Sequence, residues 1–192
     1  MIKLHKLIVL FAIIACSPSN ARAEPQINED FNYYTVNGST AKRIRQNLNL
    51  KTPITENGKK YDAYTKWHVT WNLRWKKSID SCEITEITTK VDITYILPKL
   101  EQLESKNPSL KRKWGDYYTA LIHHENGHRD FGIHTARSIE ERVLTMGPRS
   151  SCRQLQSDAN EIAYRTLDEY IQLEKNYDNK TNYGMYDGAV FP

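Results

Sequence analysis

The chain has 192 residues, 39% of them hydrophobic, and a formal net charge of +4. That length and composition fit one globular domain with a core of ordinary size and exclude a fibrous or low-complexity chain. Lys3, Lys6 and Arg22 belong to a leader described next, which leaves the domain at about +1 and gives nucleic-acid binding no electrostatic footprint.

"MIKLHK" supplies two lysines, "LIVLFAIIA" is a short apolar run, and Ala21-Arg22-Ala23 ends the segment in an A-x-A pattern. This is the layout of a secretory signal peptide over 1–23, cleaved after Ala23, and its apolar run is too short to span a bilayer. "IIAC", ending at Cys16, also resembles a lipobox, in which the cysteine is lipidated and anchors the protein. Both readings send residues 24–192, a single domain, out of the cytoplasm as a secreted or periplasmic protein. Beyond the leader only Cys82 and Cys152 remain, and an even pair in an oxidising compartment predicts a disulfide.

"FNYYTVNG", 31–38, predicts a strand ending in an Asn-Gly turn. Ser39 or Thr40 can cap a helix over "AKRIRQNLNL", where Ile44 and Leu48 share a face. Residues 50–61, with Pro53 and Asn57-Gly58, read as a loop. In "KWHVTWNLRW", 66–75, Trp67, Val69, Trp71, Leu73 and Trp75 alternate with polar residues, the period-two pattern of a strand with one buried face. Core packing is the plain reading of this stripe, and a carbohydrate-binding platform the sharper one. "CEITEITTKVDITYILP", 82–98, gives a second long strand with Val91, Ile93, Tyr95 and Leu97 on one face, pairing with the first as an antiparallel hairpin. From about residue 99 the chain reads as helical, with a new start at Asn107-Pro108 or Ser109. Trp114, Tyr118 and Leu121 carry a stripe at helical spacing on to His124, Glu125 and His128. A last helix covers about 151–176, with Leu155, Ala159, Ile162, Thr166, Tyr170 and Leu173 on one face. The tail, "NYDNKTNYGMYDGAVFP", reads as irregular. The sum is an α+β domain: an antiparallel sheet built on a long Trp-rich hairpin, packed against two or three helices.

"LIHHENGHRDFGIH", 121–134, holds four of the six histidines. His124-Glu125-Asn126-Gly127-His128 is H-E-x-x-H. Residues four apart on a helix lie on one face, so His124 and His128 can both present an imidazole nitrogen to one ion at about 2.0–2.1 Å. Glu125 sits one step round, within reach of a water whose pKa zinc would lower, which makes it the expected general base of peptide hydrolysis. Gly127 weakens the helix by about 1 kcal/mol or lets another segment approach it closely. His123 faces elsewhere. A zincin-like site expects a third protein ligand. His134 stands where the metzincin pattern puts one, but Phe131 takes the glycine position of that pattern. On a continuous helix His134 lies roughly 240° round from His128 and cannot reach. Glu161 on the last helix, and Asp178, Tyr183 and Asp187 in the tail, are the other candidates.

These residues carry a resemblance. The chain is similar to a bacterial secreted domain of unknown function whose members are predicted to be zinc-dependent proteases. Tyr33-Tyr34 through Thr40 match its "YY.V.G.T" segment, Trp67 to Trp71 its Trp-containing strand, and His124 to His128 its HExGH helix. Tyr177, Asp178, Thr181 and Gly184 match its Y-D-x-x-T-x-H-G tail, with Tyr183 in place of the tail histidine. The resemblance implies a zinc-dependent peptidase acting on a peptide or protein substrate, with Zn2+ on His124 and His128, Glu125 as base, and Tyr183 as third ligand or oxyanion donor. His134 and a tail carboxylate rank behind Tyr183. The alternative is a non-catalytic envelope binding protein that keeps the fold, and the substituted tyrosine is the feature that favours it.

Overall fold

The computed structural model describes residues 24–101 and 107–192; the leader, with its cleavage site and Cys16, lies outside them. The elements follow as β1 (Gln26–Val36), α1 (Ala41–Lys51), β2 (Thr55–Glu56), β3 (Lys59–Lys60), β4 (Tyr64–Lys77), β5 (Cys82–Leu100), α2 (Pro108–Leu144), α3 (Cys152–Thr181) and a 3-10 turn at Met185–Asp187. Among the described residues no helix is long and apolar enough to cross a membrane.

β4 and β5 form the expected antiparallel hairpin, with Trp67 opposite Ile93 and Val69 opposite Val91. The main sheet has a third strand: its order is β1-β5-β4, and β1 runs parallel to β5 with Phe31 opposite Tyr95. The sheet is therefore mixed, and α1 and β4 lie within the crossover that a parallel pair requires. β1 begins at Gln26, well before the expected start. Residues 26–30 are exposed and all but Ile27 are polar, so no alternation marks them, and pairing with Lys90–Thr94 makes them a strand.

Three boundaries differ from expectation for local reasons. The segment 50–61 is not wholly a loop: Asn57 and Gly58 have φ of 49° and 77° and turn a small hairpin between β2 and β3, a conformation Asn-Gly adopts readily. β5 runs on to Leu100 where helix was expected, and α2 starts at Pro108 with Asn107 as its cap, the Asn107 carboxamide oxygen accepting from the Ser109 N–H at 3.0 Å. α3 continues to Thr181 and stops only where Asn182 enters the left-handed region at φ 49°, ψ 53°, a role asparagine can take.

Burial explains the packing. Ile44 and Leu48 of α1 are fully buried, and Thr40 caps that helix by accepting from the Arg43 N–H at 3.3 Å. Val91, Ile93, Tyr95 and Leu97 of β5 are buried together with Leu121, Ala136, Ile139 and Val143 of α2. The tryptophan face packs as core: Trp67 and Trp71 are half-buried and donate from Nε1 to Glu174 and Asn160 of α3, at 2.8 and 2.9 Å. A bulge between Arg74 and Trp75 ends the alternation and leaves Trp75 39% exposed. On α3 the buried face is Leu155, Ala159, Ala163 and Thr166, while Leu173 is 43% exposed. Beyond Thr166 the side of α3 toward α2 turns polar, and that change makes the site.

Cys82 and Cys152 form the disulfide, joining residues 70 apart at the starts of β5 and α3. Cys82 also exchanges both backbone hydrogen bonds with Arg149, at 2.7 and 2.9 Å. Closing a loop of that length constrains the unfolded chain by about 2–4 kcal/mol. The Cys82→Ser/Cys152→Ser variant is expected to melt roughly 5–15 °C lower, read by circular dichroism. An unchanged Tm would show that the crosslink stabilises nothing.

Candidate metal centre

α2 presents His124, Glu125 and His128 on its buried face, and α3 presents Glu174, Tyr177 and Asp178 opposite. The second set has the spacing i, i+3, i+4, which places all three on one helix face.

Three atoms converge. His124 Nε2 and His128 Nε2 are 3.3 Å apart, and Asp178 Oδ1 lies 3.3 Å from the first and 3.2 Å from the second. A triangle of that edge is the face of a tetrahedron whose centre lies about 2.0 Å from each corner, the length of a zinc–nitrogen or zinc–oxygen bond. Asp178 Oδ1 is buried, and its polar neighbours are the two imidazole nitrogens rather than a well-aligned hydrogen-bond donor. The donor set, two imidazoles and a carboxylate, suits zinc and leaves a fourth position open. Asp178 is the tail carboxylate that the sequence reading ranked behind Tyr183 and His134, and it is helical rather than part of an irregular tail.

Charge supports the same point. Burial disfavours the His128 imidazolium, yet the carboxylates of Asp178 and Glu174 outweigh it and push the pKa up to about 10. Burial likewise works against the Asp178 carboxylate, but the two imidazoles hold its pKa at about 2. A site that attracts a proton so strongly attracts a divalent cation for the same reason.

The surrounding residues orient the donors. Glu174 Oε1 sits 2.9 Å from His128 Nδ1 and also accepts the Trp67 indole N–H. With Nδ1 directed at Glu174, Nε2 is the nitrogen left to ligate an ion once its own proton is displaced. Tyr177 stacks on the His124 ring at 4.9 Å, and its hydroxyl donates to the His124 carbonyl at 3.2 Å. Gly127 permits this approach: a Cβ there would lie 2.5 Å from the Tyr177 hydroxyl oxygen. Gly184, at φ 76°, folds the tail over His124, where a Cβ would come within 2.8 Å of the ring. The Gly184 N–H donates to Thr181 Oγ1 at 3.2 Å. The tail motif Tyr177, Asp178, Thr181 and Gly184 thus acquires a structural reason at each position.

Glu125 is 3% exposed and accepts from Thr65 Oγ1 of β4 at 2.6 Å. Burial pushes its pKa above the usual carboxylate value; the Thr65 hydrogen bond and the two histidines oppose that rise. Glu125, His124, His128 and Asp178 all line one cleft of about 800 Å³, bounded by the β2–β3 hairpin and by residues 182–190.

Tyr183 lines this cleft too, on left-handed backbone at φ 54°, with its ring 5.1 Å from that of Tyr61. α2 is continuous through Gly132, so His134 is exposed and turned away from the cluster, as is His123. Glu161 is exposed beside Arg165, and Asp187 is exposed in the 3-10 turn. Sequence reasoning missed Glu174 altogether. The signal was the Glu174, Tyr177, Asp178 spacing, hidden because the asparagine-rich segment after 175 was read as irregular.

Fold and donor set together define an α+β domain with a His-His-Asp candidate metal centre beside a buried glutamate. The chain belongs to the family DUF922, described as a bacterial protein of unknown function, whose pattern matches residues 31–184. No curated protein and no solved structure matches it.

Proposed function

We propose that this domain is a zinc-dependent peptidase acting on peptide or protein substrates outside the cytoplasm, secreted or held at the envelope through Cys16. The observation that carries the reading is the convergence of His124 Nε2, His128 Nε2 and Asp178 Oδ1 beside the buried Glu125 carboxylate, in a cleft of about 800 Å³.

His124, His128 and Asp178 hold the ion, and Glu174 keeps His128 in the ligating tautomer. When bound, zinc lowers the pKa of water at its open position and polarises a carbonyl. Glu125, made more basic by burial, takes a proton from the attacking water as its oxygen bonds to the scissile carbonyl carbon. It returns the proton to the amine nitrogen as the C–N bond breaks. Thr65 aims that carboxylate. Tyr183, with Asp178 occupying the third corner, is free to donate its hydroxyl to the developing oxyanion. The non-catalytic alternative draws its support from Tyr183 standing where a histidine ligand was expected; Asp178 as a third donor supports the peptidase reading instead.

Residues 24–192, purified without a histidine tag and dialysed without strong chelator, are expected to retain close to one zinc per chain. His124→Ala/His128→Ala is expected to retain none. Hydrolysis of unfolded casein should vanish with chelator and return with zinc. A folded protein that takes up no zinc, or a zinc-loaded one that cleaves nothing, overturns the reading.

A further inference from the structure

Besides Glu125 and Asp178, the cleft that holds the metal donors is lined by the charged residues Arg45, Glu56, Lys59, Lys60 and Asp62. Arg45 is paired with Asp62, donating to its Oδ2 at 2.7 Å, and Tyr117 donates to the same oxygen. Lys60 Nζ donates to the Asn49 carbonyl at 2.7 Å. Glu56 and Lys59 are cross-strand neighbours in the small hairpin, both exposed to solvent. The remaining carboxylates, Glu125 and Asp178, belong to the chemistry.

Much of the remaining lining is apolar, and part of it is open to solvent. Ala63 and Leu121 close the floor, Leu121 one helical turn before Glu125 and on its face of α2. Ile54 lies on the hairpin wall and Met185 and Val190 on the tail wall, with Tyr64 between them at the start of β4. Tyr64, Met185 and Val190 are 46%, 50% and 46% exposed. Apolar side chains left open on both walls of one cleft signal a ligand that covers them.

We propose that the cleft selects substrates by an apolar side chain next to the scissile bond and rejects charged ones there. This rests on the peptidase reading and adds its substrate class. A leucine or phenylalanine side chain covers Leu121, Met185 and Val190 and loses water on both surfaces. A lysine or aspartate packed against those same apolar side chains loses its hydration and gains no polar partner from them.

The test uses internally quenched peptides with an alanine and serine background and one variable position filled by leucine, phenylalanine, alanine, aspartate or lysine. kcat/KM is read on the zinc-loaded protein, and binding by fluorescence anisotropy on zinc-loaded Glu125→Gln. Leucine or phenylalanine should exceed aspartate and lysine by roughly ten- to hundred-fold in both. Val190→Asp, an exposed position that does not threaten folding, should narrow the leucine-to-lysine ratio about ten-fold. Apolar preference in binding with no cleavage keeps this inference and overturns the peptidase reading. Cleavage without side-chain preference, or favouring charge, overturns the inference alone. Neither binding nor cleavage of any peptide overturns both.

Discussion

Asp178→Asn is expected to strip the domain of zinc while leaving it folded. The substitution keeps the shape of the side chain and removes the only charged donor of the three. Losing a residue that merely orients a ligand typically costs 10–100-fold in metal affinity, so losing the anionic donor should weaken zinc binding by more than about 100-fold in a chelator competition. Tyr183→Phe should change it by less than about ten-fold, because Asp178 already fills the third corner. The reverse ranking would make Tyr183 the ligand. Acidity separates this role from a structural one. In the metal-free protein Asp178 is lowered from 3.8 to about 2, so it adds stability above pH ~4 that is lost as pH falls through 2. His128 is raised from 6.5 to about 10, so its contribution is present below pH ~6.5 and lost as pH rises through 10. The metal-free variant should therefore lag the wild type most between pH 4 and 6.5. The zinc-induced rise in Tm behaves oppositely, growing from pH 5 to pH 8, since uptake must displace the proton on His128.

Which parts of this were legible follows from what each residue does. The long hairpin announced itself because Trp67 to Leu73 and Val91 to Leu97 each turn one face inward, and burial writes a period of two into the sequence. Helix α2 was legible for the same reason at the helical period, and H-E-x-x-H names its own chemistry. β1 was half visible, since residues 26–30 are held by backbone pairing and solvent-facing polar side chains carry no pattern. The end of α3 was missed because its inner face there is polar. Glu174, Tyr177 and Asp178 face His124 and His128 across the candidate metal centre rather than a core, and a hydrophobic stripe is the wrong signal for such a face. Asn176, Asn179 and Asn182 deepened the error by looking like loop residues, although only Asn182 takes a left-handed conformation.

The tail also shows why a substituted position misled. Tyr183 replaces a histidine in a motif expected to hold a ligand, and rank by ligand chemistry put it first. In the structure the helical register decides instead. Tyr177 and Asp178 sit one after the other on the last two turns of α3, so the ring covers His124 while the carboxylate reaches the centre. Tyr183 comes after the helix has ended and leans toward Tyr61. Its place on the cleft wall beside Tyr61 leaves the third corner of the cluster to Asp178.

Glu125→Gln should abolish hydrolysis and leave the metal behind. The amide keeps an oxygen to accept from Thr65, so the side chain stays where it is, but it cannot take a proton. General-base catalysis is worth about 10²–10⁴ in rate, roughly 3–5 kcal/mol of barrier, and kcat should fall by that factor with zinc content unchanged. Tm should hold or rise, because a buried carboxylate resists ionisation here and its neutral isostere does not carry that penalty. Thr65→Val gives the graded case. It removes the 2.6 Å hydrogen bond without touching the base, so kcat should drop less, and the acidic limb of the pH–rate profile should move upward because that bond favours the ionised carboxylate. Full activity in Glu125→Gln would eliminate the assigned base. A loss of zinc alongside the loss of rate would place Glu125 among the ligands rather than beside them.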